Sequence, residues 1–332
     1  MVNQRTVGSG IGSMPGTDFD EVLRLVLGEV TDLPFLPELP ARGVTAGMTG
    51  RSLAVVAELG FDLQPAGWRL TDAAGVDHRR ARSLLAQDLD GLEAAAQGYT
   101  GELKVQLAGP WTLAATVERP RGDRLLADRG ARRELAQAFA EGVTEHLRDL
   151  GRRVPGASFV VQVDEPVLPA VLGGGIPTSS GFSRHRSVHP PEATEVLSWV
   201  FGAITAAGAV PVAHCCAGDV PIEIFREAGA AGISLDLDLV STETFDALGA
   251  ALEAGTRVAL GVVPATDPAR TPTVAQVVTR VERTLDMLGF GLDEVGPQLV
   301  LTPTCGLAGA TPAYARTALS LVRESAARLS GD

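Results

Sequence analysis

Residues 209–238 read AVPVAHCCAGDVPIEIFREAGAAGISLDLD. The apolar run at 209–215 reads as a buried strand, and 232–237 reads as another. Between them Pro221–Ala228 reads as a helix, followed by Gly229 as its stop signal. One strand, one helix and one strand in 30 residues is the repeating unit of a parallel sheet. Both strands also end in reactive groups: His214, Cys215 and Cys216 on the first, Asp236 and Asp238 on the second.

The alternation continues outward in both directions. Further strands are expected near 6–13, 34–37, 103–108, 158–164, 257–263 and 298–304. Helices are expected at Arg132–Leu150, Glu192–Ala207, Thr244–Ala254, Val274–Leu288 and Pro312–Leu329. In the first of these Leu135, Phe139, Val143, Leu147 and Leu150 share one face. Gly151, Gly208, Gly255 and Gly289 follow their helices as Gly229 follows its own. Eight strands with intervening helices predict an α/β protein of the (β/α)8 TIM-barrel type, a single domain over 1–332. Residues 41–101 form an excursion holding two helices, and the prolines flanking 34–37 make that strand the weakest. A doubly wound sheet is the alternative; the barrel is preferred because polar strand ends would converge at one mouth.

Composition narrows the function. The 332 residues are 45% hydrophobic and carry a net charge of -12, which disfavours nucleic acid and anionic membranes as partners. Arginine supplies nearly all the positive charge, Lys104 being the one lysine. No apolar run reaches a membrane span, and MVNQRTVGSG lacks the layout of a signal peptide, so a cytoplasmic protein is expected. Three cysteines, two of them adjacent, do not suggest a disulfide framework.

Barrel active sites are built from the C-terminal ends of strands. In order these ends offer Ser13, Glu38, Gly109-Pro110-Trp111-Thr112, Asp164-Glu165-Pro166, His214-Cys215-Cys216, Asp236 with Asp238, and Thr304-Cys305-Gly306. Histidine, cysteine and carboxylate together are an ordinary zinc ligand set. Strand parity turns His214 and Cys216 to the same side and Cys215 to the other. A single free cysteine is commonly a small core residue, but the His–Cys pair with Cys305 at an equivalent strand end favours a metal.

These segments resemble cobalamin-independent methionine synthase, in its uroporphyrinogen decarboxylase-like catalytic barrel. His214-x-Cys216, Ile-Ser-Leu-Asp236 and Thr-Pro-Thr-Cys305-Gly-Leu look like its zinc ligands, with Asp236 where the family has Glu. Ile11-Gly12-Ser13-Met14-Pro15, Val161–Pro166 and Lys104–Thr112 are similar as well, in the same order along the chain. The resemblance implies the short single-barrel form and Zn²⁺ held by His214, Cys216, Asp236 and Cys305. It implies homocysteine as the thiol and a methyl donor that is a folate or a corrinoid protein. Two cysteinates and a carboxylate would give the site a net negative charge, which keeps a bound thiolate nucleophilic instead of acidifying water. Gly12, Ser13, Trp111 and Asp164 are then expected at the substrate, with Asp164 and Glu165 in the catalytic network.

The sequence also departs from the family. Gly67-Trp68 stands where a Gly-Glu is usual, and Thr266 stands near the position of a histidine. Glu38 could replace the lost carboxylate, although a solvated loop charge is the simpler reading. The Gly- and Ser-rich residues 172–190 suggest a lid that presents Arg184, His185, Arg186 and His189. Gly173-Gly174-Gly175 lacks the Lys-Ser/Thr of a phosphate loop. His78 and His146 read as helix-surface residues. The expected function is a zinc-dependent thiol methyltransferase, most simply of homocysteine to methionine. Alkyl transfer involving another small thiol of the coenzyme M kind, or a non-catalytic zinc-containing binding barrel, are the alternatives.

Overall fold

The computed structural model describes residues 5–331; residues 1–4, where the N-terminal stretch and the 1–332 domain begin, and Asp332 lie outside the described residues. The first third of the chain contains β1 (Val7–Gly8), α1 (Phe19–Glu29), α2 (Met48–Leu53), β2 (Gly60–Gln64), β3 (Gly67–Thr71) and α3 (Val76–Ala95). Then follow β4 (Glu102–Ala108), α4 (Pro110–Thr116), α5 (Arg129–Arg153), β5 (Ser158–Asp164), α6 (Leu168–Leu172) and α7 (Pro190–Ala206). The last part holds β6 (Val210–Cys215), α8 (Ile222–Glu227), β7 (Gly232–Asp236), α9 (Thr242–Glu253) and β8 (Arg257–Val263). It ends with α10 (Val274–Leu288), α11 (Leu292–Val295), β9 (Leu299–Pro303) and α12 (Pro312–Leu329).

Seven strands form one parallel sheet in the order β1-β9-β8-β7-β6-β5-β4. β2 and β3 form a separate antiparallel hairpin. A cavity of about 20 Å³ is lined by residues of β4 through β9 together with Ser9, Gly10 and Leu33, which only a curled sheet permits. Val7, Leu33, Val160, Val212 and Val300 make a small apolar cluster of their own. The large core includes Phe139, Phe201, Leu260 and Leu319, each contributing roughly 1.5–3 kcal/mol by burial.

Residues 34–38 sit between the two sheet edges without becoming a regular strand. Leu36 N donates to Lys104 O at 2.9 Å, and Lys104 N donates to Pro34 O at 2.8 Å. On the other side Glu38 N donates to Gly12 O at 3.0 Å, and Met14 N donates to Glu38 O at 2.8 Å. Pro34 and Pro37 have no N–H, so pairing is reduced to the bridges Phe35↔Lys104 and Ser13↔Glu38. The expected eight regular strands are therefore seven strands and one bridged segment.

Elsewhere most expected boundaries hold to within a few residues. Gly208, Gly229, Gly255 and Gly289 all adopt positive φ at helix ends. Gly151 does not stop its helix: α5 runs on to Arg153, whose guanidinium bonds Asp149, Asp90 and Glu93. His78 is fully buried, contrary to the surface reading. Phe61 N donates to its Nδ1 at 3.3 Å, and its Nε2 lies 2.9 Å from Leu53 O, tying β2 to α2. Among the described residues no helix is long and apolar enough to cross a membrane.

Candidate metal centre and the cleft beside it

Register places His214 between Asp164 on β5 and Ser234 on β7. The imidazole is buried, and its Nδ1 lies 3.0 Å from Ser234 Oγ. That contact fixes the ring and leaves Nε2 for another partner. Cys216 follows β6 directly, and Cys305 follows β9; their sulfurs are 3.1 Å apart. One donor atom from each of His214, Cys216 and Cys305 lies within 4.8 Å of the others. A tetrahedral zinc holds two sulfurs about 3.8 Å apart, so the thiols must separate by less than about 1 Å. The donor set and its spacing fit a zinc ion. Both cysteines are half-buried at the rim. Contact with Cys216, and then His214, draws the Cys305 thiol well below its ordinary range, while the same contact pushes Cys216 up. Cys215 points into the core, where burial raises its thiol to about 12.

Asp236 ends β7 beside these groups but is not one of the three clustered donors. Its Oδ1 accepts the backbone N–H of Asp238 at 2.9 Å, and Asp238 pairs with Arg280.

Ser13 adjoins the loop that carries Cys305. Leu307 N donates to Ser13 O at 2.7 Å, and a Cβ on Gly306 would stand 2.0 Å from Ser13 Oγ. Gly12 also packs tightly on Gln106, since a Cβ there would lie 2.7 Å from that side chain. Asp164 is buried, which raises its carboxyl above the usual range; Gln162 Nε2 donates to its Oδ1 at 2.7 Å. Glu38 is also buried and not a solvated loop charge. Gln106 Nε2 donates to it at 3.1 Å, Arg51 lies 3.9 Å away, and burial pushes its carboxyl up to about 7. Sequence reasoning undervalued Glu38 because the strand carrying it is broken by proline.

Glu165 and Trp111 serve the frame. Glu165 accepts the N–H groups of Trp111 and Thr112 and the Thr112 hydroxyl, anchoring the start of α4. Trp111 is 1% exposed, and its indole N–H donates to Ala193 O on α7 at 3.3 Å. It packs into the core and forms no exposed wall. Trp68 is likewise in the core, and Thr266 is exposed on the connection after β8. The loop at 172–190 is tethered: Ser179 N and Oγ donate to Asp123 Oδ1, and His185 Nε2 lies 3.2 Å from the same oxygen. Its tip carries the exposed Phe182, with Arg184, Arg186 and His189 exposed nearby.

Residues 92–328 match the family described as cobalamin-independent synthase, catalytic domain. The chain belongs to this family. It is a methionine synthase-like enzyme, and the family's chemistry is methyl transfer. Its fold is similar to that of a B12-independent methionine synthase from Shewanella sp. W3-18-1, solved in complex with selenomethionine. The TM-score is 0.60 at 16% identity, with 98% of each chain covered. A methylaspartate ammonia lyase from Clostridium tetanomorphum aligns at TM-score 0.49 and 12% identity, over 98% of this chain and 58% of that one. A search of curated proteins finds no significant match.

Proposed function

We propose that this chain is a zinc-dependent thiol methyltransferase that converts homocysteine to methionine in the cytoplasm. The observation carrying this reading is the group His214, Cys216 and Cys305, gathered at the rim where Asp164 and Glu38 also end. In this reading residues 1–332 form a single (β/α)8 barrel, with 34–38 as its second strand and 172–190 as a lid over the mouth.

His214, Cys216 and Cys305 would hold the zinc, and Asp236 would be its fourth ligand through the oxygen not bonded to Asp238. A zinc so bound keeps a substrate thiol in its nucleophilic thiolate form at neutral pH. The two half-buried cysteines at an accessible rim support exchange with a substrate more than a closed structural site. Asp164 and Glu38 accept hydrogen bonds from the substrate ammonium, so Glu38 takes the part of the carboxylate missing at Gly67-Trp68. Gly12 and Ser13 shape the backbone wall between that subsite and Cys305. Glu165 holds α4 in place behind Asp164, and Trp111 packs behind it in turn. The donor is a folate or a corrinoid protein approaching from the side of the 172–190 loop.

The test is zinc content. Wild type is expected to bind one zinc, while Cys216→Ser and Cys305→Ser lose most of it, because metal binding here needs both thiolates. A metal-free wild type, or unchanged zinc in both variants, would sink the proposal.

A further inference from the structure

Lys104 is the chain's one lysine and is only 4% exposed, in the middle of β4. An ammonium is rarely placed there without a task, because removing it from water is costly unless it is well paired. Its Nζ donates to Ile11 O at 2.7 Å and to Gln162 Oε1 at 2.8 Å. Gln162 Nε2 in turn donates to Ile11 O at 3.0 Å and to Asp164 Oδ1 at 2.7 Å. An amide has one donating and one accepting end. Since an ammonium can only donate, Lys104 forces the oxygen of Gln162 toward itself and the NH₂ toward Asp164. Without it the amide is free to turn its oxygen on the carboxylate. The same ammonium holds the Ile11 carbonyl, the residue before Gly12 and Ser13. One buried charge thus fastens two parts of the cleft that lie about 150 residues apart in the chain. Burial pulls the Lys104 ammonium down to about 7, while Asp164 and Glu38 oppose that pull.

We infer that Lys104 is a positioning residue for the amino-acid end of the substrate, fixing Asp164 through Gln162 and the Gly12–Ser13 segment through Ile11. The inference rests on homocysteine being the thiol. Lys104 acts through its neighbours and leaves the metal donors alone, so its loss changes which thiol is preferred more than whether a thiol binds.

Zinc-loaded wild type, Lys104→Met and Gln162→Met are titrated calorimetrically with homocysteine and with 2-mercaptoethanol, a thiol without ammonium or carboxylate. Wild type is expected to prefer homocysteine. Each variant should lose about 10- to 100-fold in homocysteine affinity, with zinc content and 2-mercaptoethanol binding unchanged. Gln162→Met leaves Lys104 in place and carries the same test if Lys104→Met fails to fold. Equal losses for both thiols, or a preference for homocysteine as strong in the variants as in wild type, would overturn the inference alone. A wild type that binds zinc but shows no preference overturns the homocysteine reading and this inference with it.

Discussion

The two ends of the cleft come from unlike parts of the chain. β4 to β9 form a parallel ladder, with one register shift at Gly261–Val263, that delivers Asp164, His214, Cys216, Asp236 and Cys305 to one rim. Residues 5–101 contribute a two-residue strand, a proline-broken segment and a hairpin, yet they supply Gly12, Ser13 and Glu38. The family match spans 92–328, so it covers the ladder and leaves most of the irregular part outside. Metal ligands need donor positions held to within a few tenths of an ångström, which a ladder provides. Recognition of a substrate's amino-acid end can be built from bridges and turns that tolerate change. The two parts are nevertheless packed tightly: a Cβ on Gly142 of α5 would stand 1.9 Å from Val55 O.

This contrast separates two phenotypes. Glu38→Gln, in the irregular part, should weaken homocysteine binding by about 10- to 100-fold and leave zinc content at the wild-type level. Titration calorimetry with parallel metal analysis checks it; loss of zinc in Glu38→Gln would erase the division. A smaller effect is expected at the seam. His146 on α5 is half-buried, and burial first, then the Arg51 guanidinium, lowers its imidazole to about 4 from an ordinary 6.5. Between those values the unfolded chain binds a proton that the folded chain refuses. The contribution of His146 to stability is therefore complete above pH 6.5 and declines as pH falls toward 4. His146→Gln should flatten that slope in urea midpoints measured from pH 6.5 to 4; an unchanged slope would assign it to other groups.

The ladder is legible because most of its strands are largely apolar, with β4 alternating polar and apolar residues, and four helix stops are glycines at positive φ. Strand parity also separated Cys216 from Cys215, since a pleat turns alternate residues to opposite sides. Gly151 misled because tertiary ion pairs of Arg153 extend α5 past it. Glu38 is reached by the same strand-end logic as Asp164 and Asp236, but the prolines flanking its strand make a solvated loop charge the simpler reading. The buried pairing of Arg42 and Arg51 with Asp88 has no local signal, as its partners lie 46 and 37 residues apart. Lys104 is visible as a lone lysine, but Gln162 becomes its neighbour only when β4 pairs with β5, and Ile11 only when the sheet curls.

The rim is proposed to accept a substrate thiol at a metal held by His214, Cys216 and Cys305. Zinc-edge X-ray absorption of the purified protein, recorded with and without homocysteine, tests it most directly. Two sulfur ligands are expected in the free protein and a third when homocysteine is added. Bound zinc whose sulfur count does not change with homocysteine would contradict it.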